Sequence, residues 1–274
     1  MTTDLTARLR AAGCVFAEQE AALLRAGAST PAALEDMVRS RVDGVPLEHV
    51  LGWVEFAGLR VDVDPGVFVP RRRTELLVRE ATRLARGVRG STVVVDLCCG
   101  SGALGVAVTA GLGGALGSTL GSTLGDVDLY AVDVDPAAVR CARRNVAACG
   151  GRVYEGDLFE PLPAAVHGRV DLVLANVPYV PSAEIALMPP EARRYEARVA
   201  LDGGDDGLDV LRRAAAEARG WLVAGGHLLV ETSPRQAPQA ADVLARGGLT
   251  PRVTSDDVGG TVVVGTRDER QWPR

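Results

Sequence analysis

Four consecutive residues, Asn176-Val177-Pro178-Tyr179, hold the most specific chemistry in this 274-residue chain. They break off the apolar run 170–175, which has the pattern of a buried strand. The asparagine carboxamide offers an acceptor oxygen as well as donor hydrogens. Val177 precedes a proline and is biased to extended backbone, so its carbonyl can point outward instead of joining a helix. Tyr179 adds a flat face and a hydroxyl. Together they make a clamp for a planar amino or amide nitrogen, with the Asn176 oxygen and the Val177 carbonyl each accepting one N–H. Two such acceptors stabilise positive charge that grows on the nitrogen, and they fix its line of attack.

A second group of residues lies upstream. Gly100-Ser101-Gly102-Ala103-Leu104-Gly105 fits GxGxxG, between the valine-rich stretch 91–97 and a helical stretch 102–111. Glycines there let the backbone approach a ligand and reach positive φ, and the following helix start favours negative groups. Asp133 closes the next strand pattern, where an acid can take both hydroxyls of a ribose. The interval from Gly100 to Asp133 is 33 residues, against about 20 in a dinucleotide fold. The Gly/Ser/Thr repeat at 116–125 accounts for the excess and reads as a surface insertion. These features imply a nucleoside ligand, and both a nicotinamide dinucleotide and S-adenosylmethionine fit the loop. Asp96, at the tip of the first strand, would repel a pyrophosphate but suits an ammonium or sulfonium-bearing ligand, directly or through water. With Asn-Val-Pro-Tyr it favours S-adenosylmethionine.

The elements that must position these groups can be read from periodicity. Leu5, Leu9 and Ala12 share a helical face, a second helix stops at Gly27, and Thr30-Pro31 starts a third with the stripe Leu34, Val38, Val42 and the pair Glu35–Arg39. From about Trp53 to Val69 the period changes to alternation, which predicts a β-hairpin with Leu59, Val61 and Val63 on one side. Trp53 and Phe56 are expected to pack it onto the main domain. Thereafter strands and helices alternate, including a helix capped by Asp135-Pro136 and terminated by Gly150. This is the α/β pattern of a mostly parallel sheet covered on both faces, with function at the carboxyl ends of the strands.

Composition narrows the classes. The chain is 47% hydrophobic and only 4% aromatic, so Ala, Val, Leu and Gly build the core. A net charge of −5 argues against non-specific nucleic-acid binding. Cys14, Cys98, Cys99, Cys141 and Cys149 form no CxxC pair, and His49, His167 and His227 stand apart, so neither a disulfide framework nor a metal site is expected. Residues 97–125 carry no charge but include nine glycines, which disfavours a membrane span. Charges sit where a leader's apolar segment would be. The expectation is a cytoplasmic protein that does not enter a membrane.

Asn-Val-Pro-Tyr resembles the NPPY motif of S-adenosylmethionine-dependent amino-group methyltransferases. Across nearly its whole length the chain is similar to the HemK/PrmC family, the protein-(glutamine-N(5)) methyltransferases that modify the GGQ glutamine of peptide-chain release factors. The resemblance rests on 46–78 with its PRRRTE segment, on DLCCGSGALGVAV at 96–108, on GDLFEPL at 156–162 and on ALDGGDDGLDVLRR at 200–213. It implies a Rossmann-like methyltransferase fold with a seven-stranded sheet, preceded by a small helical domain with a hairpin linker. The division would fall between 1–69, which would recognise the protein substrate, and 70–274. It implies that Asp96, Gly100 and Gly102 lie at the methionine part of the cofactor, Asp133 at the ribose and Asp157 with Leu158 at the adenine, with Cys98 and Asn176 also among the cofactor-binding residues. Asn176 and the Val177 carbonyl would hold the substrate amide, and Pro178 and Tyr179 would shape its pocket.

The departures are Val177 for the first proline of NPPY, Cys98 for a glycine, Ala197 for the proline of YEP, and Arg72 and Arg73 within a PRPETE-like segment. A paralogue acting on another protein, a methyltransferase acting on an exocyclic base amine, a non-catalytic cofactor binder and a nicotinamide dehydrogenase are the alternatives. Arg71 to Arg73 is expected to be a solvated run, and Glu231 is expected to be structural instead of a catalytic base.

Overall fold

The protein is described here by a computed structural model covering residues 5–86, 90–113 and 126–268. The repeat at 116–125 lies outside the described residues. The chain opens with helices α1 (Leu5–Ala11), α2 (Ala17–Gly27), α3 (Pro31–Val42) and α4 (Leu47–Leu51). The Thr30 hydroxyl accepts the Ala33 N–H at 3.1 Å, with Pro31 as the first helical residue, which satisfies one of the orphan donors of the helix start. These helices close around their own small core, which includes Leu9, Ala17, Leu24 and Val38. Two expectations fail here. Val42 is 38% exposed, so the apolar stripe of α3 ends at Val38. Glu35 does not pair with Arg39. It takes both arms of Arg8 from α1 at 2.7 Å each, a fork that also joins two helices, and Arg39 turns to Asp36. Helix α4 is too short to show a period.

Strands β1 (Trp53–Phe56) and β2 (Leu59–Asp62) form the expected hairpin, with Ala57 and Gly58 both at positive φ in the turn. Phe56, Val61 and Val63 are buried, and they join the main core together with Val67 and Val69. Trp53 is only half-buried, with the Arg60 guanidinium 4.4 Å above its ring.

The remaining elements are α5 (Glu75–Ala85), β3 (Thr92–Leu97), α6 (Ala103–Leu112), β4 (Val127–Asp133), α7 (Pro136–Ala147), β5 (Arg152–Glu155), β6 (Val170–Ala175), α8 (Pro190–Tyr195), α9 (Asp209–Trp221), β7 (Leu222–Glu231), α10 (Ala237–Arg246), β8 (Thr250–Ser255) and β9 (Thr261–Thr266). Among the described residues the sheet has seven strands in the order β5-β4-β3-β6-β7-β9-β8. Only β9 runs against its neighbours. Alternate residues divide between two cores. Val94, Leu172, Leu174 and Leu229 face α5, α6 and α7, while Val95, Val173, Val230 and Val263 face α9 and α10. Strands β5 and β8 have no apolar signature in the sequence, because they are the half-exposed edges of the sheet.

The order reverses between β3 and β6. From β3 the chain builds outward through β4 to β5, then returns to lay β6 on the other side of β3. This is the switch point at which open α/β sheets bind ligands. Register places Leu97 beside Ala175, so Cys98 and Asn176 leave neighbouring strands at the same level.

Candidate active site

Beyond β3 the main chain turns sharply. Cys98 (φ 52°), Gly100 (φ 56°) and Gly102 (φ 78°) all adopt left-handed backbone. For Cys98, which carries a Cβ, this costs about 1–2 kcal/mol. A Cβ on Gly102 would also lie 2.8 Å from Val146 Cγ2, so that glycine is required by packing as well as by conformation. The loop delivers the Gly100 N–H to Asp133 Oδ2 at 2.8 Å, and the Asp135 N–H reaches Asp133 Oδ1 at 2.9 Å. Each oxygen keeps accepting capacity for a ligand hydroxyl. Burial pushes the Asp133 carboxyl above its ordinary value, against the pull of these two backbone donors. Asp135 in turn caps α7 through the Ala137 N–H at 2.8 Å.

A cavity of about 270 Å³ opens at the carboxyl ends of β3, β4 and β6. Of the residues singled out in the sequence, Cys98, Gly100, Asp133, Asp157, Leu158, Asn176 and Pro178 line it. A smaller space of about 30 Å³ shares Phe68, Cys98, Gly100 and Asn176 with it and adds Thr74 and Ser101. The Thr74 and Ser101 hydroxyls are buried without a partner among the described residues. Leu158, another non-glycine residue at positive φ (46°), is buried against the cavity. Asp157 is engaged by Arg213 of α9.

Asp96, Gly102, Val177 and Tyr179 are not on the cavity wall. Asp96 is fully buried on the α6 side of the sheet, where its Oδ2 accepts the Gly105 N–H at 2.9 Å. Its Oδ1 has no partner among the described residues. Burial without a cation pushes its carboxyl up to about 8, with the charge of Asp133 adding to the effect. Val177 is 1% exposed. Among the described residues nothing donates to its carbonyl, and nothing hydrogen-bonds the Asn176 carboxamide. Tyr179 lies behind them, its phenol pushed up to about 12 mainly by burial.

The arginine run is divided: Arg72 is exposed with no ion pair among the described residues, as a solvated run would be, while Arg71 and Arg73 turn to buried carboxylates. Arg71 stacks over Phe68 at 4.9 Å and donates at 2.5 Å to Glu196, whose side chain is wholly buried. Arg73 donates at 3.0 Å to Glu231, also buried, and at 2.6 Å to the Tyr179 hydroxyl. Glu196 further accepts the Val69 N–H at 3.2 Å, binding the segment after the hairpin to the end of α8. Sequence reading missed Phe68, Val134, Val199 and Arg213 on the cavity wall. Val134 and Val199 stand out only in the fold, where both are large apolar residues left about half exposed, and carried no signal in the sequence. The ion pairs had none either.

Comparison with known proteins settles the family. The family model Methyltransferase small domain matches residues 58–189. The chain is 38% identical to the release factor glutamine methyltransferase of Geobacter sulfurreducens over 84% of this chain and 75% of that protein. It is 34% identical to the one from Deinococcus radiodurans over 94% of each. The chain belongs to the release factor glutamine methyltransferase family. Its fold is that of other methyltransferases. An enzyme from Pyrococcus furiosus aligns with a TM-score of 0.53 at 15% identity, over 77% of this chain and 90% of that one. The ribosomal protein L11 methylase from Lactobacillus delbrueckii subsp. bulgaricus gives 0.50 at 16%, over 76% and 84%. No described helix of this family member is long and apolar enough to cross a membrane.

Proposed function

We infer that this protein transfers a methyl group from S-adenosylmethionine to the side-chain amide nitrogen of a protein glutamine, and that its substrate is a peptide-chain release factor. The observation that carries the reading is the pairing of two free acceptors, the Asn176 carboxamide and the Val177 carbonyl, at the switch point beside the cavity lined by Asp133, Asp157 and Leu158. The relatives' common name supplies the substrate class.

The residues present fit the cofactor. Asp133 is fixed by two backbone donors and has acceptor capacity left for ribose hydroxyls. Leu158 and Val134 offer apolar faces for the adenine, and Asp157 offers an acceptor for its amine. The unpartnered Thr74 and Ser101 hydroxyls, with Cys98 and Gly100, suit the amino-acid end, and Gly102 shapes the glycine loop without reaching the wall. We assign the cofactor ammonium to Asp96 Oδ1 through a water, because Asp96 does not itself reach the wall. Bound there, S-adenosylmethionine supplies an electrophilic methyl group on a sulfonium.

The chain's own residues prepare the acceptor. Asn176 Oδ1 and the Val177 carbonyl each take one N–H of the glutamine amide. They hold its nitrogen in line and stabilise the charge that develops on it. Pro178 walls the pocket. Tyr179, its phenol pushed up by burial, stays protonated at neutral pH and offers no base. The surplus proton therefore leaves to water, and Glu231, tied to Arg73 and Tyr179, is not the base. Recognition of the protein falls to the helical unit within 1–69. The hairpin's buried residues belong to the main core, so we place recognition on α1–α4, where Val15 and Phe16 are exposed.

The test is to incubate the protein with S-adenosylmethionine and a bacterial release factor and map peptides by mass spectrometry. A one-methyl gain on the GGQ glutamine, lost in Asn176→Ala, is expected. No gain with cofactor binding intact would move the substrate elsewhere.

A further inference from the structure

Two departures from the family motifs, Val177 and Arg73, meet at Tyr179: Val177 lies two residues before it in the chain, and Arg73 bonds its hydroxyl. The Arg73 guanidinium donates from Nη2 to Tyr179 Oη at 2.6 Å and from Nε to Glu231 Oε1 at 3.0 Å. The Tyr179 hydroxyl donates to the same Glu231 oxygen at 3.1 Å. Glu231 ends β7, the neighbour of β6 in the sheet, and is 1% exposed. The phenol thus spends its proton on Glu231 and a lone pair on Arg73, and it cannot swing. The main chain at the same residue is pinned as well. Gln236 Nε2 donates at 3.0 Å to the Tyr179 carbonyl and at 3.0 Å to the Asp206 carbonyl.

The Val177 carbonyl lies in the peptide plane between Val177 and Pro178. Its direction depends on the torsions of Val177 and on the φ of Pro178, which the ring fixes. A proline at 177 would also fix φ there. Valine does not, although β-branching and the following proline restrict it. The plane is then set by its two anchors, the end of β6 on one side and Tyr179 on the other.

We propose that Arg73 is a positioning residue for the methyl-accepting amide: with Glu231 it locks Tyr179 and so holds the Val177 carbonyl in the direction that a proline at 177 would otherwise enforce. This rests on the reading that the Val177 carbonyl accepts from the substrate amide. Arg73 touches neither substrate nor cofactor and acts through Tyr179.

The test is a cycle of full-length variants, R73A, V177P and R73A/V177P, with R73K as the conservative replacement. Turnover is measured on a bacterial release factor, and cofactor affinity by calorimetry. R73A is expected to lower kcat about tenfold, the scale of a small misplacement of reacting groups, with KM and cofactor Kd within about twofold. In the V177P background the loss caused by R73A should shrink from about tenfold to within about threefold, the double variant being compared with V177P itself. R73K should fall between, because an ammonium does not bridge two acceptors in a fixed plane. Unchanged kcat in R73A overturns the proposal, and so does an R73A defect that V177P leaves untouched. Should R73A fail to fold because Glu231 is left without its cation, R73A/E231Q removes that charge and serves in its place. Hydrogen exchange of the peptide spanning 174–181 reads the lock without substrate. About tenfold faster exchange at the Val180 amide, which donates to the Leu201 carbonyl at 3.0 Å, is expected in R73A, and unchanged exchange overturns the lock even if turnover falls. The parent's activity on the release factor, with Asn176→Ala as its control, tests the underlying reading separately.

Discussion

The two halves of the site are held by different means. On the cofactor half the main chain does the positioning. Left-handed backbone at Cys98, Gly100 and Gly102 aims N–H groups, one of which fixes Asp133, and the Gly105 N–H fixes Asp96. On the substrate half the loops after β6 are held by side-chain ion pairs between distant segments, Arg71 with Glu196 and Arg73 with Glu231 and Tyr179. The difference shows in the buried carboxylates. Asp96 is buried without a cation and is pushed toward neutrality, whereas Glu196 and Glu231 each face an arginine. A nucleoside of fixed shape suits a cradle made from backbone. A clamp whose two acceptors must be free when the protein substrate arrives has to be braced from behind.

If that division is right, the largest single loss belongs to the substrate half. Asn176→Ala should cut turnover by about 10²–10³, or about 3–4 kcal/mol, the typical cost of one preorganised polar group at the reacting centre. Cofactor affinity by calorimetry should stay within about twofold. A parallel loss of cofactor binding would mean that the halves are not separable. Next is the brace itself. Arg71→Ala leaves the buried Glu196 charge unpaired and should cost about 3 kcal/mol of unfolding free energy in denaturant. Adding Glu196→Gln should recover a large part. If it does not, the packing of Arg71 on Phe68, and not its charge, holds the segment.

The cofactor half should instead betray itself through pH. Asp96 has a folded pKa raised to about 8 from an ordinary 3.8. Above pH 4 the unfolded chain gives up this proton while the folded protein keeps it. The contribution is therefore fully present below about pH 4 and is lost as pH rises through about 8. Asp96→Asn, which keeps an acceptor for the Gly105 N–H, should flatten that fall by more than about 2 kcal/mol, since each pH unit between the two pKa values is worth about 1.4 kcal/mol. Equal pH slopes in parent and variant, measured by denaturation at several pH values, would show that Asp96 is ionised in the fold. Smaller again, Asp133→Ala should weaken S-adenosylmethionine binding by more than about tenfold, about 1.4 kcal/mol. Unchanged affinity would take the ribose away from Asp133.

The same contrast decides what could be read in advance. The glycine loop, the Asp135-Pro136 cap, the hairpin turn and Asn-Val-Pro-Tyr announce themselves because local backbone demands select residue types at short spacing. The bracing pairs do not. Arg73 meets Tyr179 across 106 positions and Glu231 across 158, and nothing around Arg71-Arg72-Arg73 distinguishes a buried partner from solvent. Arg8 took Glu35 away from its helical neighbour Arg39 for the same reason. The edge strands β5 and β8 escaped because exposed strands carry no alternation, and the count of seven rested on family likeness alone. Asp96 was legible as a strand-end acid, but its orientation toward α6, away from the cavity, depends on which core each face of β3 meets.

The finest test of the main-chain half is Cys98. Its left-handed backbone costs about 1–2 kcal/mol with a Cβ present. Glycine would remove that cost but lose about 0.5–1 kcal/mol through the greater freedom of the unfolded chain. Cys98→Gly should therefore stabilise the protein by about 0.5 kcal/mol, which is a rise of about 1–2 °C in Tm for a domain of this size. Both variants lose the sulfur's packing against the second core, but Cys98→Ala keeps the Cβ and the strained φ as well, so it should lower Tm. Opposite signs for glycine and alanine would show that backbone conformation, not the thiol, governs this position. If both variants lose stability, packing of the sulfur outweighs the strain, and the cofactor half depends on side chains at this position as the substrate half does at Arg71.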